Sequence, residues 1–171
     1  GLVRITPDGK LHLHSGVGNL GTYSHTGTSR IAAEVLKANW DNCIVERGDT
    51  RKGLPWNIGQ FGSNTSFTMA RTNYVAAMDA VGKLKEIAAM DLGGAPADYD
   101  IGGERVFLKR DPTKGLTYAQ AAQRAIALGG KFDGHENPAD INPMTATAAT
   151  MLAGTGLIGV AKDNLPITAQ P

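Results

Sequence analysis

The strand-like stretch Leu2-Val3-Arg4-Ile5 is followed by Leu11 and Leu13 alternating with Lys10, His12 and His14, with Pro7-Asp8-Gly9 between them. This pattern predicts a β-hairpin of residues 2–6 and 10–14 closed by a tight turn. The apolar period then lengthens, and Ile31, Ala32, Val35 and Leu36 share one face of a helix from about Thr22 to Leu36. Cys43-Ile44-Val45-Glu46 reads as a short strand, ended by Arg47-Gly48-Asp49-Thr50. A loop over 51–62 leads into the longest helix, from about Ser63 to Asp91. Its expected buried stripe is Phe67, Ala70, Tyr74, Ala77, Met78, Val81, Leu84 and Ala88, and Gly93-Gly94-Ala95-Pro96 stops it.

The later part reads as a hairpin, a helix and a strand. Tyr99-Asp100-Ile101 and Arg105-Val106-Phe107-Leu108 flank Gly102-Gly103, and Thr117-Tyr118-Ala119-Gln120 is a capping box opening a helix to Leu128. Residues 131–147 are polar and predict a loop with a short strand at Lys131-Phe132, and Leu157–Ala161 is a final strand. The predicted fold class is α+β (mixed α/β), a small sheet with a β-hairpin and two to three packed helices.

Composition narrows the function classes. With 171 residues the chain is of single-domain size, and at 19% charged residues and a net charge of +1 nothing favours nucleic acid or an anionic membrane as partner. The single Cys43 excludes an internal disulfide framework and a cysteine-based metal cluster, and no run of eighteen apolar residues predicts a membrane span. Both ends read as cut from something longer, so compartment signals are not expected in the chain.

Two glycine- and hydroxyl-rich helix entrances stand out, Gly16-Val17-Gly18-Asn19-Leu20-Gly21 and Phe61-Gly62-Ser63-Asn64-Thr65-Ser66. Free backbone amides at a helix start hold anions, so two such cradles predict a large phosphorylated or pterin-like ligand. Gly16-x-Gly18-x-x-Gly21 with Glu46 at the end of the next strand also matches a dinucleotide fingerprint, which would make the chain an NAD-binding domain. Against that, His12 and His14 interrupt a strand that should be apolar on both faces, and the leading hairpin implies an antiparallel neighbour. His12 and His14 are expected as solvated strand residues, and His25 as either pocket-lining or on a helix surface. Met69, Met78 and Met90 are expected as core filler, and Glu34, Glu46 and Glu136 as surface or helix residues without a catalytic role.

Taken in order, Leu20-Gly21-Thr22-Tyr23, Ala33-Glu34-Val35-Leu36, Gly48-Asp49-Thr50 and Gly62-Ser63-Asn64-Thr65 resemble the molybdenum-binding large subunit of the xanthine dehydrogenase and aldehyde oxidoreductase family. The later hairpin and helix, and Gly154-Thr155-Gly156-Leu157-Ile158-Gly159, continue the order such subunits show. The resemblance implies one domain or fragment of a larger multidomain subunit, with residues 1–92 contacting cofactor and 98–161 forming a hairpin–helix–strand part. It implies oxidation of an aldehyde or aromatic N-heterocycle with water as the oxygen source. The implied cofactor is molybdopterin, as its cytosine dinucleotide, with molybdenum. Electrons would pass through iron–sulfur clusters to FAD or another acceptor on partner domains or subunits.

By the same carry-over Leu20, Gly21 and Thr22 meet one side of the cofactor and Gly62, Ser63 and Thr65 another, while no catalytic or metal-ligating residue falls in the chain. The implied partners are the remaining domains of the subunit, an iron–sulfur subunit, a flavin or cytochrome subunit and a small-molecule substrate. The implied compartment is the cytoplasm, with the periplasm as the other option. Where the family has Gly-Gln-Gly this chain has Gly21-Thr22-Tyr23, which keeps a second expectation open, a non-catalytic interaction or scaffold module of the same fold.

Overall fold

The computed structural model describes residues 1–55, 57, 60 and 65–162. β1 (Leu2–Ile5) and β2 (Leu11–His14) form the expected antiparallel hairpin. Gly9 takes φ 83°, which lets Thr6 N–H donate to the Lys10 carbonyl at 3.0 Å across the turn. α1 (Ser24–Val35) follows, then β3 (Cys43–Glu46), which lies parallel to β2 in register His12 with Ile44 and His14 with Glu46. β2 therefore has one antiparallel and one parallel neighbour, and β2–α1–β3 is a βαβ unit set beside a hairpin.

α2 (Thr65–Leu92) crosses the sheet, and β4 (Tyr99–Gly102), β5 (Arg105–Leu108) and β6 (Asp111–Thr117) make a separate antiparallel meander. The β4–β5 turn is Gly103-Glu104, one residue later than the glycine pair suggested, with φ of 57° and 56°. α3 (Tyr118–Leu128) opens on the predicted capping box, Thr117 accepting from the Gln120 amide and Gln120 from the Thr117 amide. α4 (Pro143–Met151) and β7 (Leu157–Val160) finish the described chain. β7 returns to pair antiparallel with β1, giving the sheet order β3-β2-β1-β7.

One core joins the parts. Val3, Ile5, Leu11, Leu13 and Leu157 from the sheet meet Ala32, Ala33 and Leu36 of α1 and Ala76, Ala77, Ala80, Leu84 and Ile87 of α2. Tyr99, Val106, Ala121 and Ala125 belong to the same cluster. The alanines let α2 run close over β7, where a Cβ on Gly159 would press on the Ala76 carbonyl and stand 2.9 Å from Ala80 Cβ. The opposite sheet face packs Leu2, Ile158 and Val160 on Ile141, Ala148, Ala149 and Leu152 at α4. The outer edge of β7 is closed by other groups, since Ile158 N–H donates to the Phe132 carbonyl, Val160 N–H to Asp79, and Lys83 Nζ to the Ile158 carbonyl at 2.7 Å.

Several expectations change. The buried face of α2 is Asn73, Ala76, Ala77, Ala80, Val81, Leu84, Ile87 and Ala88, so Tyr74 and Met78 turn outward; Met90 is exposed too, and of the three methionines Met69 is core. Lys131-Phe132 forms no strand, although the Phe132 carbonyl bonds β7, and residues 143–151 are a helix rather than loop. Asn142 caps that helix by accepting from Met144 N–H at 2.8 Å, with Pro143 at its first position. Its threonines and alanines carry no charge alternation, which hid it. Strand β6 was also not read from Pro112 and Gly115; it is an edge strand, where both residues are tolerated. No helix among the described residues is long and apolar enough to cross a membrane.

Candidate functional site

β2 delivers the chain to the first glycine segment. Ser15 and Val17 are buried and the backbone closes on itself, Val17 N–H donating to Ser15 Oγ at 3.2 Å and Gly21 N–H to Asn19 Oδ1 at 2.9 Å. Past Gly18 the segment emerges. Leu20 is 69% exposed, Gly21 and Thr22 are exposed, and the space beside Gly21 at φ 90° is open. Tyr23, at the N-cap of α1, sits at φ 54° and ψ 28°. That left-handed conformation costs an ordinary residue about 1 kcal/mol and suits glycine. A tyrosine thus holds a backbone conformation that favours glycine, with its ring 65% exposed.

The N-terminus of α1 faces this surface without a side-chain cap and with no acidic residue in its first turn. Its amides and the hydroxyls of Thr22, Ser24 and Thr26 form a donor set with no fixed negative charge competing for it, which is what an anionic or carbonyl-rich ligand requires. His25, in that first turn, is 5% exposed, and its Nδ1 has no hydrogen-bond partner among the described residues. Burial, and then the nearby Arg47 guanidinium, lower its pKa, so the ring is neutral at pH 7. His25 is therefore an interior group rather than a helix-surface one.

Described residues of the loop ahead of the second segment meet the first one. Gln60 Nε2 donates to Ser24 Oγ at 2.5 Å, and a Cβ on Gly18 would stand 3.8 Å from Gln60 Oε1. Gly16 packs so closely on Pro55 that an added Cβ would strike the Pro55 carbonyl. α1 and α2 are pinned where Asn73 Nδ2 donates to the Thr28 carbonyl at 2.9 Å. The structure thus brings Gly18 and Ser24, which flank Leu20, Gly21 and Thr22 in the chain, against Gln60. Thr65 opens α2 and is half-buried, and Gly62 and Ser63 lie outside the described residues. Gln60 was not singled out from sequence; an isolated amide in a loop carries no periodic signal.

The histidines of β2 also differ from expectation. They are not solvated. His14 is 2% exposed with neither ring nitrogen partnered, and burial followed by the Arg4 charge lowers its pKa to about 4. His12 Nδ1 lies 3.1 Å from Glu46 Oε1, and Lys52 Nζ pairs with Glu46 Oε2 at 2.9 Å. Glu46, expected as a plain surface residue, is the centre of this cluster. Glu34 and Glu136 are exposed as expected. Cys43 is half-buried at the start of β3, and burial, then the Glu104 charge, push its thiol up to about 11, which keeps it protonated and unreactive. Among the described residues no group of three histidine, cysteine, aspartate or glutamate side chains is arranged to hold a metal ion.

The described residues form an α+β domain with a set of backbone and hydroxyl donors exposed at the start of α1. Residues 1–163 match the model of the molybdopterin cofactor-binding domain, and the chain belongs to that family. Its fold is similar to a segment of the CO dehydrogenase from Oligotropha carboxidovorans, at 23% identity and TM-score 0.66 over 95% of this chain and 18% of that one. A carbon monoxide-reduced Cu,Mo-CO dehydrogenase matches at 23% identity and TM-score 0.65, over 96% of this chain and 18% of that one. Quinoline 2-oxidoreductase from Pseudomonas putida 86 matches at 20% identity and TM-score 0.60, over 95% and 19%. The chain therefore spans under a fifth of the length of these relatives.

Proposed function

We propose that this chain is the cofactor-gripping part of a molybdenum hydroxylase that oxidises an aldehyde or an aromatic N-heterocycle with water as the oxygen source. The observation that carries the reading is the uncapped, acid-free N-terminus of α1 behind the open Gly21, within a chain that matches the molybdopterin-binding family from residue 1 to 163. The bound cofactor would supply the redox centre. The residues here bind and orient it: Leu20, Gly21 and Thr22 on one side, Gly62, Ser63 and Thr65 on the other. Amides at the two helix starts take its phosphate and pterin oxygens, and Leu20 shields that contact from water. The cytosine dinucleotide form, and transfer of electrons to iron–sulfur and flavin groups on neighbouring domains or subunits, complete the proposal.

The test is metal analysis of the full-length parent purified from its own host, with fluorescence of the oxidised pterin it releases. Molybdenum and pterin in near-equal amounts support the reading, and the absence of both overturns it. In the same parent, Ser63→Phe should lower cofactor content more than it lowers folded yield. One observation favours the second reading, a scaffold module of the same fold: Thr22 and Tyr23 stand where glutamine and glycine are usual, and the Tyr23 ring projects at the mouth of the cradle.

A further inference from the structure

Residues 49–55 follow β3 and run back to Gly16, and among the described residues three contacts stand out along them. Asp49 caps a 3-10 turn over Thr50–Lys52 by accepting from Arg51 N–H at 3.0 Å, and that turn presents Lys52 Nζ to Glu46 Oε2 at 2.9 Å. Gly53, at φ 64°, is pressed against α4, where a Cβ would stand 2.9 Å from Leu152 Cγ and 3.1 Å from the Ala148 carbonyl. The buried Pro55 presents its carbonyl to Gly16, the first residue of the glycine segment. Of these fastenings the ion pair alone is a side-chain contact between charged groups. It is also tied into the sheet, because Glu46 holds His12 of β2 with its other oxygen at 3.1 Å, and the Lys52 backbone lies against His14 of the same strand. The Glu46 side chain is 15% exposed and that of Lys52 45%, so water competes weakly at the carboxylate and more strongly at the ammonium. Burial pushes its pKa up, but hydrogen bonds from Lys52 and His12 outweigh burial and hold it below its ordinary value.

We infer that Glu46 is a positioning residue: through Lys52 and His12 it clamps segment 49–55 onto the sheet, and this clamp sets how firmly the Gly16–Tyr23 cradle holds the pterin cofactor. The inference rests on the cofactor reading above. A strap that lifts lets Pro55 leave Gly16, and the glycine segment then loses the backbone wall that fixes its course. Neither Glu46 nor Lys52 needs to touch the ligand for this to act.

The experiment uses the full-length, cofactor-loaded parent carrying Glu46→Gln, Lys52→Met or Lys52→Arg, with Gly159→Ala as a control that weakens the fold away from the strap. Two quantities are read: amide hydrogen exchange in residues 49–55, and the rate at which pterin is released into buffer. Glu46→Gln and Lys52→Met are expected to speed exchange in the strap about tenfold and pterin release several-fold. Lys52→Arg should restore both, and Gly159→Ala should lower the melting temperature without raising release to that extent. Faster strap exchange with unchanged release overturns the clamp while leaving the cofactor reading intact. Unchanged exchange, or equal release from the Gly159→Ala control, also overturns it. Absence of pterin from the wild-type parent overturns the cofactor reading itself and the clamp with it.

Discussion

Lowering the pH from 7 to 5 should weaken this fold, with His14 as the largest contributor. Its ring is buried among Arg4, His12, Glu46 and the Lys52 backbone, and its pKa falls from 6.5 to about 4. Because the folded value is the depressed one, protons favour the unfolded chain. The contribution is complete above about pH 6.5, is lost progressively as pH falls toward 4, and is level below that. Its ceiling is about 3 kcal/mol, of which about 2 kcal/mol disappears between pH 7 and pH 5. In urea, with a slope of roughly 2 kcal/mol per molar, this moves the unfolding midpoint by about 1 M. His12 and His25 are also depressed and add a slope of the same sign, so the informative quantity is the difference between wild type and His14→Leu. Glu46 is depressed as well, but its contribution is lost only below about pH 4.3, outside this window. Urea titrations followed by circular dichroism at pH 7, 6 and 5 make the measurement. His14→Leu should flatten the profile by about 2 kcal/mol; parallel profiles would refute the argument, since His14 would then titrate as it does in water.

Three further outcomes are expected. Gly159→Ala should destabilise by about 2 kcal/mol, because the added methyl meets the Ala76 carbonyl and Ala80 where α2 lies on β7; thermal unfolding reads this directly. Lys83→Met should cost about 1–3 kcal/mol in denaturant unfolding, since it leaves the Ile158 carbonyl unpaired and Asp79 without its cation. Tyr23→Gly should change stability by less than about 1 kcal/mol, relief of the left-handed strain offsetting the entropy of a glycine, whereas Tyr23→Val should destabilise by more than Tyr23→Gly in the same assay.

What the sequence revealed follows from how local each signal is. The β1–β2 hairpin, α1, β3 and the capping box of α3 rest on neighbours a few residues apart, and all were legible from turn chemistry and period. The face of α2 was not, because a helix rich in small residues carries apolar groups nearly all round. Only the close approach at Gly159 shows that the alanine side, not the Tyr74–Met78 side, is inward. α4 went unread for a related reason, although Asn142-Pro143 was the available cap signal. The first cradle was visible as glycines and hydroxyls, but its contact with the loop ahead of α2 depends on Gln60 meeting Ser24 across 36 positions, which no window captures. The Glu46 cluster was hidden likewise, since alternation on β2 reads as a solvated face until Lys52 and its turn are laid across it.

β7 lies beside β1, with Leu2 opposite Val160 and Ile5 opposite Leu157. On a ribosome adding about 5–20 residues per second, β1 and β2 can zip together at once, yet the other edge of β1 waits roughly 8–30 seconds for its partner. Even after β3 joins β2, Leu2 and Ile5 belong to an edge strand with one open side for the rest of that interval. That open edge can pair with another chain until β7 arrives, and a truncation ahead of Leu157 leaves it open for good.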